Sequence, residues 1–322
     1  MAGYNTIRGL RVKYLSADPA NPEDGQVWYN AGTGNLRVDG IQGAGAWSSG
    51  GATSAARYGM GGAGTQTAGL VFGGSPTTAS TEEYNGSSWT GGGNLNYARF
   101  SLAGAGTQTS ALAMTGRGPS WSTTLTEKYD GSSWTNSTAS PTALNQTTST
   151  GAQTAALLWG GVPSPGASGT TGTSEFDGSS WSSGGALPSN QESSGGFGTQ
   201  TAAMSAGNKN GTTLFYNGSS WSDQSASLPY SGPSYYRYGG TMGTQTAGVI
   251  AGGGPGSTTT TSAWNGTSWG SNASLATARN DGAYGPIGSA TAGMVVSGAT
   301  PSLTTATEEF TVPVGTVNIT TG

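Results

Sequence analysis

Tyr84-Asn85-Gly86-Ser87-Ser88-Trp89 is the stretch whose reading decides the fold, because the chain returns to it again and again. It recurs as Tyr129–Trp134 and Phe176–Trp181 with Asp-Gly, as Tyr216–Trp221 with Asn-Gly, and as Trp264–Trp269. Asn-Gly or Asp-Gly between flanking aromatics predicts a strand, a tight turn and a second strand. A type I′ turn is expected, with both central residues at positive φ.

A second phrase keeps step with the first. Gly-Thr-Gln-Thr-Ala or a close variant begins at Gly64, Gly106, Gly151, Gly198, Gly243 and Gly288, at intervals of 42, 45, 47, 45 and 45 residues. Each copy leads into a short apolar run, such as Leu70 to Phe72 or Leu157 to Trp159, and each run meets glycine, often a pair, as at Gly73-Gly74, Gly160-Gly161 and Gly252-Gly253. Self-similarity at this period is the signature of propeller blades. The repeat covers roughly residues 47–312, which predicts one ring rather than two domains.

Composition narrows the function. Charged residues make up 8% of the chain, the net charge is −4, and glycine fills 59 positions. Ordinary domains carry about 25% charge. Aromatic and β-branched residues recurring in register argue against a disordered low-complexity chain. Nucleic acid is not an expected partner, since phosphate binding needs clustered Lys and Arg and no basic run occurs. Membrane insertion is not expected either, because no apolar stretch approaches 18 residues. The first residues lack the apolar core of a secretory signal. Histidine and cysteine are both absent. Ser-His-Asp and Cys-His catalysis and His- or Cys-held metals are thereby excluded, and no cofactor or metal is expected.

Residues 1–46 stand apart and hold Arg8, Arg11, Lys13 and Arg37, four of the eleven basic residues. Ser16 to Pro22 reads as a connector, and Gly25 to Val38 as two short strands around a glycine-rich turn. The phrase Gly25-Gln26-Val27-Trp28-Tyr29-Asn30, a turn, Leu36-Arg37-Val38, then Ala46-Trp47 resembles segments near the N-termini of bacteriophage tail-fibre-like and other virion structural proteins. That resemblance, over roughly residues 9–47, implies an attachment segment. The candidate particle contacts are Arg8, Arg11, Lys13, Trp28 and Tyr29.

From Ala52 onward each repeat runs through a small residue and Arg (Ala56-Arg57), an apolar run ending in Gly73-Gly74, an acidic-aromatic strand (Glu82-Glu83-Tyr84), a turn, and Trp89. This order resembles the kelch repeat, a family that builds β-propellers from four-stranded blades. Arg99, Gly116, Tyr129 and Trp134 repeat it, while Asn145 and Gln191 stand near the Arg position in the third and fourth copies. The double-glycine and acidic-aromatic strands each occur six times, but the Trp strand does so only if Trp47 is included. The fold class is therefore all-β, a six-bladed kelch-like propeller over residues 47–322 behind an N-terminal segment of residues 1–46. Trp47 is expected to supply the last outer strand, a closure that removes an open sheet edge. The alternative is seven blades, with residues 26–47 as the core of the seventh and Thr316–Thr320 completing the sixth.

Most carboxylates fall at repeated positions: Glu82, Glu83, Glu127, Glu175, Glu308 and Glu309 before the aromatic, Asp130 and Asp177 in the turn. Repetition around a ring points to blade folding before it points to one active site. The rival is a sialidase- or depolymerase-like hydrolase, with Arg57, Arg99, Arg237 and Arg279 converging on the axis to bind a carboxylate. Against it, the Asp-Gly pairs here are adjacent, whereas the sialidase box has a residue between them. Leu228 to Tyr238 breaks the Ser/Gly/Thr monotony, and Tyr230, Tyr235, Tyr236, Arg237 and Tyr238 are the candidate glycan or receptor contacts. The function expected from the resemblance is that of a non-enzymatic virion protein, a tail-fibre or surface appendage for host-glycan adhesion. A capsid decoration protein is the alternative. The expected partners are other virion proteins through residues 1–46, host-surface glycans, and further copies of the chain in a symmetric homo-oligomer on the particle surface.

Overall fold

The structure is a computed structural model and describes residues 12–19, 26–41, 44–119, 121–207, 211–229, 240–254, 256–299 and 301–319. Every regular element among these residues is a strand. The chain divides into two compact units, Ala46–Thr311 and a smaller one made of Met1–Gly45 with Val312–Gly322.

The larger unit is a ring of six sheets. The first blade shows the pattern: Met60–Gly64, Gly69–Phe72, Thr81–Tyr84 and Trp89–Gly91 pair antiparallel in chain order. The next four blades repeat it, beginning at Ala103, Thr148, Gly195 and Gly240 and each ending on a strand that opens with Trp. First strands of neighbouring blades touch one another, so they line the axis. The apolar run forms the second strand and is buried throughout, as Leu70, Val71 and Phe72 show. It lies between two strands within its own sheet and between blades above and below, which is why it reads as a continuous run and not as an alternation.

The sixth blade closes as expected. Ala292–Val296 pairs with Thr307–Thr311, which pairs with Ala46–Ser49 from the start of the unit, setting Phe310 opposite Trp47. The two rings lie 5.0 Å apart. The Trp47 indole N–H donates to Ala273 O at 2.9 Å and Thr261 Oγ1 at 3.2 Å in the fifth blade. The seven-blade alternative fails on register. Val314–Asn318 pairs with Asn35–Ile41 in the separate four-stranded sheet of the smaller unit, not with the sixth blade.

The first strand of the sixth blade departs from the repeat. Ala283–Tyr284 pairs in parallel with Met60 and Gly61 of the first blade. Gly288 lies nine positions after Arg279, whereas Gly106 lies seven positions after Arg99, and the extra length turns inward. Gly285 sits at φ +134°, and a Cβ there would lie 2.2 Å from Gly62 O and 2.4 Å from Gly104 O. Only glycine fits that approach. Thr147, Thr148, Ser194, Gly196, Thr241, Ala283, Tyr284 and Gly285 leave a cavity of about 10 Å³, room for about one water. Among the described residues the axis is packed at this level.

The turn differs from the predicted type I′. Gly86 takes φ +90°, but Asn85 does not have a positive φ. Tyr84 pairs directly with Trp89, so Asn85 to Ser88 form a four-residue loop. Asn85 Oδ1 accepts the backbone N–H groups of Ser87 at 3.0 Å and Ser88 at 2.9 Å, the side-chain mimic of a backbone turn that Asn and Asp provide. In the second blade the N–H groups of Ser133 and Ser132 pull the Asp130 carboxyl down to about 2. Those of Ser180 and Ser179 lower Asp177 for the same reason.

Candidate functional site

The repeated side chains form three sets of contacts around the ring, and these account for most residues that the sequence offers as chemistry. The first lies within blades. Arg99 pairs with Glu127 at 2.5 Å, both wholly buried, and Glu127 also accepts the Asn96 N–H at 2.7 Å. Arg57 pairs with Glu82 and Arg279 with Glu308 in the same manner. Burial lowers the pKa of each arginine, and the partner carboxylate opposes that shift. The carbonyls of Arg57, Arg99 and Arg279 accept the N–H of the second glycine of the preceding blade, Gly298, Gly74 and Gly253. Gly116 and Gly161 use Leu144 O and Gln191 O in this way. The residue aligned with Arg in the third blade is therefore Leu144, not Asn145. At the aligned Glu positions the third and fourth blades carry Ser174 and Leu214. The pair is kept or lost as a unit, as expected where a lone buried charge is costly. Arg57, Arg99 and Arg279 are thus sealed inside blades and do not form an open carboxylate-binding set on the axis.

The second set joins neighbouring blades. The hydroxyl of Tyr129 donates to Glu83, that of Tyr84 to Glu309, and that of Tyr216 to Glu175 at 2.5 Å. Where the aromatic is Phe176 the facing residue is Lys128, whose Nζ lies 5.4 Å from the ring, and where it is Trp264 the facing residue is Phe215, edge-on at 5.9 Å. The Tyr hydroxyls also accept backbone N–H groups of Gly51 and Gly185 from the preceding blade. The third set is the Gln of the Gly-Thr-Gln-Thr phrase. Gln108 Nε2 donates to Gly69 O at 3.0 Å and Tyr84 O at 2.7 Å of the blade before it. Gln66, Gln153, Gln200 and Gln245 make the same bridge. Trp indoles add a rung: Trp134 to Thr81, Trp221 to Thr173, Trp269 to Thr213 and Trp89 to Thr307.

The tyrosines set an alkaline limit. Burial first, and then the hydrogen bond to a carboxylate, raise Tyr129 and Tyr216 from 10 to about 12. A raised folded-state value means stability that is fully present below pH 10 and lost as pH climbs from 10 through 12. The melting temperature is expected to fall across that window in the native protein, and to fall distinctly less in the Tyr129→Phe/Tyr216→Phe double variant. An identical decline in both would show that these phenols are not the cause.

The predicted recognition residues Tyr230, Tyr235, Tyr236, Arg237 and Tyr238 lie outside the described residues, as do Arg8 and Arg11. Among the other attachment candidates, Lys13 is exposed and Tyr29 half-buried. Tyr29 stacks on the exposed Tyr14 ring at 5.2 Å and 22°. Trp28 is not a surface residue. It is fully buried, and its indole N–H donates to Asp18 at 2.9 Å. Asp18 also accepts Asn30 Nδ2 and pairs with Arg37, and its carboxyl is held below the ordinary value first by the Asn30 bond. Trp28 therefore builds the segment instead of offering a contact.

Sequence alone does not single out Arg117 and Trp121. They fall in the loop between Gly116 and Thr126, where the repeats diverge and no spacing rule applies. In the structure the Arg117 guanidinium carbon lies 3.5 Å from the Trp121 ring centre and 5.2 Å from that of Phe100. The one sequence signal was a Trp off the repeat.

A closed ring of four-stranded blades with its axis filled is a β-propeller, and that is the class this chain belongs to by fold. No protein-family model matches it and no curated protein matches it, but 196 chains of solved structures do. One of them, titled "Structure of YjhT", superposes with a TM-score of 0.67 over 83% of this chain and 99% of that chain, at 15% sequence identity. A likeness at that identity establishes the propeller architecture alone.

Proposed function

We propose that this chain is a non-catalytic propeller on the surface of a bacteriophage particle. In this reading residues 1–46 dock to other virion proteins, and the propeller faces outward as a tail-fibre or similar appendage that adheres to host glycans. The phage-like phrase from Gly25 to Trp47 supports the virion role, and the kelch-like order of the repeats supports the propeller that it carries. One observation carries the non-catalytic part. The charged side chains that recur around the ring, which a hydrolase reading would recruit, are spent on its framework, as the buried Arg99–Glu127 pair and the part-buried Tyr216–Glu175 pair illustrate. A rigid ring with a filled axis leaves its loops for recognition.

The test is an averaged cryo-EM map of intact particles, with copy number from quantitative mass spectrometry. The expected result is a fixed, symmetric copy number and propeller density pointing outward from the tail. Density tiling the capsid instead would make the protein a capsid decoration and remove the adhesion role. Absence from particles, or sugar release from host envelope by the purified protein, would overturn the proposal.

A further inference from the structure

One side-chain cluster on the larger unit is not explained by the repeat. In four of the blades an isolated bridge joins two segments at the approach to the axis: Tyr58 with Ser75, Phe100 with Arg117, Asn145 with Val162, Asn280 with Ala299. The frame accepts Ser, Val or Ala where the second blade has Arg117, so folding does not demand a cation there. The bridge itself is firm, with Phe100 N–H to Arg117 O at 3.0 Å and Arg117 N–H to Phe100 O at 2.6 Å.

The surroundings of Arg117 are those of a prepared guanidinium. Its carbon, 3.5 Å from the Trp121 ring centre and 5.2 Å from that of Phe100, lies against two aromatic rings. At 3.5 Å two flat groups are in face contact, and a guanidinium whose face is used this way keeps its N–H edge free. No ion pair or hydrogen bond engages that edge among the described residues, unlike the edges of Arg57, Arg99 and Arg279. Arg117 is half-buried, so it is partly stripped of water without being neutralised. Tyr58, edge-on to Phe100 at 6.1 Å, extends the aromatic row into the neighbouring blade. Trp121 is held at φ +73°, in the left-handed region that a bulky side chain rarely adopts, and its shielded indole N–H has no partner. Backbone strain of this kind collects at ligand-binding sites.

We infer that Tyr58, Phe100, Arg117 and Trp121 form a binding site for an acidic sugar. The carboxylate of a uronic acid takes two N–H groups of the Arg117 edge, the bidentate geometry a guanidinium is shaped for. The flat face of a sugar ring lies along the aromatic row, where Tyr58 offers a hydroxyl. Loops rich in Ser, Thr and Gly surround the row, which suits hydroxyl-bearing ligands better than apolar peptide side chains. The site rests on the adhesion reading only for its ligand class, and it does not depend on residues 230–239.

The test uses the full chain and a tetrasaccharide of alternating glucuronic acid and N-acetylglucosamine. Binding is followed by tryptophan fluorescence and calorimetry, beside the carboxyl-reduced neutral tetrasaccharide, free acetate and a short peptide with a free C-terminal carboxylate. The acidic tetrasaccharide is expected to bind at least tenfold more tightly than its neutral counterpart or acetate. R117Q is expected to weaken it by at least tenfold with an unchanged melting temperature, and R117K, which keeps the charge and loses the fork, is expected to weaken it also. Equal binding by R117Q, or tighter binding of the peptide, would overturn the site. If the chain adheres to host cells while R117Q adheres equally well, the site is wrong and the adhesion reading stands. If neither adheres and the tetrasaccharide still binds through Arg117, the adhesion reading fails alone.

Discussion

Changing Glu127 to Ser is expected to destabilise the protein by about 3–5 kcal/mol, the usual cost of leaving a buried charge without its partner. Arg99 and Glu127 both have no exposed side-chain surface, and the Arg99 Nε has no partner to fall back on. The third blade supplies the control. It holds Leu144 and Ser174 where the second holds Arg99 and Glu127, and it folds with the same four-stranded pairing. The double variant Arg99→Leu/Glu127→Ser is therefore expected to recover most of the loss, standing at least about 2 kcal/mol above the single variant, since apolar replacements of buried pairs are often neutral. Urea denaturation of the three proteins measures both numbers. A double variant as unstable as the single one would show that the pair does more than compensate its own burial.

The second large effect concerns closure. A chain of residues 46–311 is expected to melt cooperatively, whereas residues 52–311, lacking only the strand that carries Trp47, are expected to lose most of their stability. Removing a fully buried Trp side chain costs about 3–5 kcal/mol, and Trp47, half-buried, accounts for part of that. The truncation also removes the ladder to Thr307–Thr311 and the indole bonds to Thr261 and Ala273. Against a total stability of about 5–15 kcal/mol, that is a large share. The exposed edge should promote association as well. Trp47→Ala in the longer chain should fall between the two. Closure by Trp47 would be refuted if the shorter chain melted with the longer one.

Much of this ring was legible because each blade repeats the same physical problem. The Gly-Thr-Gln-Thr spacing, the acidic-aromatic strands and the missing sixth Trp gave the blade count and the closing strand. What escaped has particular causes. The turn is an Asx loop instead of type I′, because Asn-Gly suits both and only the paired positions of Tyr84 and Trp89 distinguish them. The bridging role of Gln66 and its counterparts joins residues far apart in sequence, so no local pattern reveals it. The third blade's Arg position falls on Leu144, an apolar residue with no charge to mark it, and the polar Asn145 stands one residue further on. The pairing of Val314–Asn318 with Asn35–Ile41 joins the two ends of the chain, beyond the reach of any window. The Arg117 cluster was hidden for the opposite reason, since it sits where the repeat is silent.

Ala46 and Thr311 face each other in the closing ladder, so the propeller is a circle whose start and finish coincide. In evolutionary terms, the number of repeats is then uncoupled from the chemistry of closure. A duplicated 45-residue unit inserts one more complete set of strands, and the strand at Trp47 still meets whichever acidic-aromatic strand comes last. Such a gene can gain or lose a blade in one recombination event without ever encoding an unpaired edge. Only the width of the axis, here narrowed by the inward turn of Ala283 to Gly285, sets the number that fits.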